Sequence, residues 1–105
     1  MFTRIHTLKF PNQLAKEAMR DKFVSIVDGF FAEGLLITQF VDVDEITSFF
    51  INLWRGKSDS ERVHQAHQSL FVQLQDMEVK ISMSGGMATI KYASDDILNI
   101  LDKKT

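Results

Sequence analysis

A chain of 105 residues, 45% hydrophobic and 25% charged, has room for one domain with a modest core; such a chain buries only roughly two-thirds of the surface it exposes when unfolded. The net charge is −2 and the basic residues are scattered, so no cationic surface forms and a nucleic-acid partner is not expected. Cysteine is absent, which removes disulfides, thiolate metal sites and a cysteine nucleophile. No stretch approaches the ~20 apolar residues of a membrane helix, so no membrane partner is expected. The opening Met1 to His6 carries no apolar core of the signal-peptide kind, and a cytoplasmic protein is the expectation.

Residues 2–10 read as a strand, with Phe2, Arg4, His6, Leu8 and Phe10 on one face and Thr3, Ile5, Thr7 and Lys9 on the other. Pro11 ends it and Asn12 is placed to cap a helix over residues 13–28. That helix has an apolar stripe of Leu14, Ala18, Met19, Phe23, Ile26, Val27 and Phe30, with Lys16, Glu17, Arg20, Asp21 and Asp28 opposite. Gly29 reads as its stop and Gly34 as the start of a second strand over 35–41. A polar turn at 42–45 leads into a third strand over 46–55, antiparallel to the second because the connection is short.

The third strand is apolar on both faces. Phe49, Ile51 and Leu53 point one way; Phe50, Asn52 and Trp54 point the other. The chain's own helices can cover one face, and a second copy is the simple cover for the other.

Gly56 and Lys57 form a hinge. Ser58-Asp59-Ser60-Glu61 fits a capping box opening a second helix that runs to about residue 75. Its stripe is Val63, Ala66, His67, Leu70, Phe71, Leu74 and Met77, with His64 on the edge as a solvated flank. Residues 79–83 read as a fourth strand, Ser84-Gly85-Gly86 as a hairpin turn, 87–92 as a fifth strand, and the segment from Ser94 as a short helix. The order β-α-β-β-α-β predicts an α+β fold in one domain over residues 1–105: a ferredoxin-like split βαβ sandwich, its antiparallel sheet covered by helices on one face.

Two stretches carry a resemblance. Phe50-Ile51-Asn52-Leu53-Trp54 closes the third strand, and Ala66-His67-Gln68-Ser69-Leu70-Phe71 follows on the second helix; Gly34-Leu35 also fits. Together they resemble the antibiotic biosynthesis monooxygenase domain family of the dimeric α/β-barrel superfamily, over roughly residues 2–84. Family members often carry Glu where this chain has Asn52, and the interval from Trp54 to the histidine is longer here. The Ser and Phe that follow favour His67 over His64 as the matching histidine. The resemblance implies a homodimer joined through its sheets and a cofactor-independent monooxygenase, an oxidoreductase acting on a quinol or phenolic compound without a cofactor. Haem degradation, known in the same superfamily, fits less well: it pairs a first-strand Asn with a Trp and a helical His, whereas this first strand offers His6. A non-enzymatic ligand-binding or interaction domain of the same fold is the alternative.

His67 is the candidate base, because a neutral imidazole on an apolar helix face can take a proton from a phenol. The plainer role is a core histidine bonded to a carbonyl or to Asn52. Trp54 can stack on a flat ligand and direct its indole N–H, or simply fill core. Asn52, polar in an apolar strand, needs a partner; a substrate carbonyl or reduced oxygen species would serve. Phe23, Val27, Phe50 and Phe71 would form the walls, and His6 and Arg4 would anchor an anionic group. His64 and His67 lack an acidic third ligand, so no metal is expected.

Overall fold

The structure, a computed structural model, describes residues 1–89 and 94–96. Its elements are β1 (Phe2–Lys9), α1 (Gln13–Val27), a 3-10 helix (Asp28–Glu33), β2 (Leu35–Asp42), β3 (Thr47–Trp54), α2 (Lys57–Ala66), α3 (Gln68–Asp76) and β4 (Lys80–Met87). The strands form one antiparallel sheet in the order β2-β3-β1-β4, which is the expected ferredoxin-like split βαβ sandwich.

Period-two alternation fixes which side chains meet. In β3, Ser48, Phe50, Asn52 and Trp54 are buried under the helices, while Thr47, Phe49, Ile51 and Leu53 lie half-buried on the other face. The register lines up side chains in rows across the helix-covered face. One row is Thr38, Asn52, Arg4 and Gly85; the next is Phe40, Phe50, His6 and Met83. A bulge between Leu35 and Ile37 lets both Leu35 and Leu36 be buried at the start of β2.

The first helix begins as expected: Asn12 Oδ1 accepts from the backbone N–H of Ala15 at 2.8 Å. Its buried face differs from the expected stripe. Lys16, Met19, Phe23 and Val27 face the sheet, whereas Leu14 is 76% exposed and Ala18 is exposed. Leu14 and Ala18 each lie five residues before a buried position, about 140° round the helix. The phase is set where Lys16 lays its stem on the core and donates to the Asp44 carbonyl at 2.8 Å, and Arg20 pairs with Asp42.

The chain does not stop at Gly29, which lies inside the 3-10 helix. The turn is made at Gly34, with φ of +106°, a conformation that favours glycine. A Cβ there would lie 2.8 Å from the Asp59 carboxyl group. That close approach, and the pairing of Arg62 with Asp59 (3.0 Å) and with the Glu33 carbonyl (2.8 Å), seats the start of α2 beside the sheet.

Three further expectations are corrected. The capping box at Ser58 does not form, because the helix starts two residues earlier with Gly56 at its cap and no side-chain cap bond. The long second helix breaks at His67 (φ −114°, ψ 21°) into α2 and α3. Ser84-Gly85-Gly86 is no turn; β4 runs straight through it, pairing Gly85 with Arg4 and Gly86 with Thr3. The remainder of the expected fifth strand, at 90–92, and most of the final helix lie outside the described residues.

Candidate functional site

A cavity lies between the helix-covered face of the sheet and α1, α2 and α3. Arg4 and His6 reach it from β1, and Phe50, Asn52 and Trp54 from β3. Phe23 and Ile26 come from α1, and Phe30 from the 3-10 helix. Ser60, Val63 and His64 come from α2, His67 from the break, and Leu70 and Phe71 from α3. Arg4, Ile26, His64, His67 and Phe71 are the half-buried members and border solvent; the others are buried. The space is about 30 Å³, room for a water molecule or two. A larger ligand enters only if half-buried side chains such as Phe71 and His64 turn outward.

Of the residues singled out in the sequence, His67, Asn52, Trp54, Phe23, Phe50, Phe71, His6 and Arg4 all line this one cavity. Val27 does not; it is buried in the core beside it. His64, read as a solvated flank, lines the cavity instead, on the same face of α2 as Ser60 and Val63. Ser60 and Phe30 also line it. The only sequence signal for them was spacing, Ser60 lying four residues before His64 on the same helix face.

Asn52 is 2% exposed, and its Oδ1 accepts from the Thr38 hydroxyl at 2.7 Å across the β2–β3 pair. Its buried oxygen is thus satisfied from the strand side, and its NH2 group is the donor left for other partners. Trp54 is 3% exposed and its ring lies 6.1 Å from that of Phe30. Its Nε1 has no hydrogen-bond partner among the described residues. His6 is 5% exposed and stacks with Phe50 (5.6 Å), Phe71 (5.4 Å) and His64 (6.2 Å). Its Nδ1 likewise has no partner. Buried polar atoms are rarely left unpaired in folded proteins, and the cavity that both residues line has room for a water molecule or two.

Electrostatics separate the histidines. Burial first, then the charges of His64 and Arg4, pull His6 from 6.5 down to about 4. Burial and then Arg4 push His64 below its usual value. At neutral pH the His6 ring is therefore uncharged, a hydrogen-bonding group and a poor proton acceptor. His67 packs its ring 5.0 Å from Phe30. Arg4 donates from Nε to the Ser60 hydroxyl at 3.4 Å and lies 4.8 Å over the Phe2 ring. Among the described residues no carboxylate pairs with it, nor does any group of three His, Cys, Asp or Glu gather to hold a metal ion.

Fold and cavity define an α+β ferredoxin-like domain with an apolar pocket between sheet and helices, and solved structures share the fold. A candidate antibiotic biosynthesis monooxygenase from Deinococcus radiodurans superposes with a TM-score of 0.75 at 15% identity, over 90% of this chain and 98% of that one. A dimeric ferredoxin-like protein from an uncultured marine organism gives 0.71 at 18% identity, over 87% and 97%. SnoaB, a cofactor-independent oxygenase from Streptomyces nogalater, gives 0.62 at 12% identity, over 87% and 97%. The chain matches no family model and no curated protein. The resemblance read from the sequence therefore holds at the level of the fold.

Proposed function

We propose that this protein is a cofactor-independent monooxygenase of the antibiotic biosynthesis monooxygenase kind, acting on a quinol or phenolic small molecule and working as a homodimer. The observation that carries the reading is the cavity itself: apolar walls lined also by Asn52, with nitrogens of Trp54 and His6 that have no partner among the described residues. Similarity of fold to an oxygenase of this type adds to it. The ligand would enter past Phe71 and His64, lie against Trp54 and Phe50, and lose its hydroxyl proton at the solvent-bordered histidines, with His67 the base. The phenolate passes one electron to O2, the radical pair joins through a C–O bond, and loss of water from the hydroperoxide leaves a quinone. One O2 is consumed and one water released per ring oxidised.

The test is oxygen uptake with a panel of hydroquinones and polycyclic phenols. Uptake should follow protein concentration and fall at least tenfold in Asn52→Ala and His67→Ala. Unchanged turnover in His67→Ala would remove the assigned base; no uptake with any substrate would remove the oxygenase reading. The tightness of the cavity favours a second reading, a non-enzymatic ligand-binding or interaction domain of the same fold. On that reading Trp54 and His67 touch only protein, and replacing them costs stability without loss of any activity.

A further inference from the structure

One feature of the cavity is its unbalanced charge. Arg4 brings a guanidinium to an apolar wall, and no carboxylate among the described residues balances it. The remaining titratable groups that face it are His6 on β1, His64 on α2 and His67 at the break; none of them can supply a negative charge. The arginine is held, not loose. Its Nε is on Ser60, whose side chain is buried, and its guanidinium lies over Phe2. Across β4, Gly85 leaves it space: a Cβ there would come 3.2 Å from Nη1, 2.8 Å from the Phe2 ring and 3.0 Å from the Thr3 carbonyl. The same cavity is lined by two residues with buried nitrogens that have no partner among the described residues, Nδ1 of His6 and Nε1 of Trp54. The indole N–H is a donor only, and the neutral imidazole donates from Nδ1 in one of its two tautomers.

We propose that Arg4, with the Trp54 and His6 ring nitrogens, forms an oxyanion-binding site, and that the cavity takes its aromatic ligand as the anion of an acidic hydroxyl group. A fixed cation in a water-poor pocket favours the charged form of a bound acid. The proposal rests on the reading of the cavity as a phenol site and adds what selects the ligand: an ionisable oxygen placed to meet Arg4, not ring shape alone. Neutral His6 serves here as a hydrogen-bonding partner of the anion. Negative charge arriving in the site would offset the contribution of Arg4, which adds to burial in lowering the pKa of His6 and His64.

The experiment uses two probes, 4-nitrophenol and its methyl ether 4-nitroanisole, titrated against the protein under nitrogen. Visible absorption reports the ionisation state of the bound phenol, and calorimetry reports affinity. The expected result is nitrophenol bound as the phenolate. Its apparent pKa should fall by about one unit or more, a tenfold preference for the anion, with the ether bound at least tenfold more weakly. Arg4→Met should abolish both differences, and Arg4→Lys should restore part of the pKa shift. If Arg4→Met does not fold, the comparison of phenol and ether on the unaltered protein still decides. Equal binding of the two probes, an unchanged or raised phenol pKa, or no binding of either at millimolar concentration would overturn the proposal. Neither probe turns over under nitrogen, so anion binding can stand when the quinol panel shows no oxygen uptake. Undiminished uptake in Arg4→Met would overturn the role of Arg4 while leaving the oxygenase intact.

Discussion

His6 shows how one residue couples fold to site. Its place on β1 between Arg4 and Leu8, opposite Phe50, puts the ring beneath the helices, where hydration is lost. With the pKa drawn from 6.5 to about 4, the unfolded chain binds a proton between those values that the folded chain refuses. Stability is therefore whole above pH 6.5 and falls as pH drops toward 4, by on the order of 3 kcal/mol when fully expressed. Urea unfolding between pH 7.5 and 4.5 should show a steeper loss for the native protein than for His6→Phe, which keeps the stacking on Phe50 and Phe71. Parallel pH profiles for the two would refute the assignment. That His6 shares a face with Phe2, Leu8 and Phe10 was legible from alternation alone. That it is buried deeply enough to stay neutral depends on Phe71 and His64, which approach from elements far away in the chain.

At the scale of elements, two local geometries place the helices over the sheet. Gly34 turns the chain with a positive φ beneath the Asp59 carboxyl group. Gly34→Ala should cost about 1–3 kcal/mol in denaturant unfolding. Gly29→Ala, where an added methyl meets nothing within 4 Å, should stay near neutral. Equal effects at the two glycines would remove the argument for Gly34. The second geometry is the break at His67, on either side of which Val63 and His64 on α2 and Leu70 and Phe71 on α3 face one cavity. Spacing along residues 58–75 suggests one helix because both halves are amphipathic on nearly the same stripe. Neither proline nor glycine marks the break, so only packing reveals it. The same holds for α1, where Lys16 and Arg20, charged and so read as solvent-facing, bind the β2–β3 end through Asp44 and Asp42.

For the whole molecule, the sheet face turned away from α1, the 3-10 helix, α2 and α3 carries Ile5, Ile37, Phe49, Ile51 and Leu53, all half-buried. The proposed homodimer would bury this apolar row against its copy, as a small domain with a limited core requires. Light scattering at micromolar concentration should give twice the chain mass. Ile51→Lys should shift it to one chain while leaving the far-ultraviolet dichroism in place. A monomeric native protein would sink the dimer; a dimeric Ile51→Lys would move the interface elsewhere.

Strand parity, the Asn12 cap and the β-α-β-β-α-β order follow from the sequence by itself, because each depends on neighbours a few residues away. So does the choice of Asn52 and Trp54, two side chains of unusual type on one face of β3. The tertiary structure alone decided that Ser60 and His64 reach the same cavity, that Gly85-Gly86 extends a strand instead of turning it, and that Lys16 is buried. It also decided that Arg4, on its expected face of β1, has no carboxylate partner among the described residues. The reason is that burial and charge balance are properties of what surrounds a side chain in space, and local spacing does not encode which distant element arrives there.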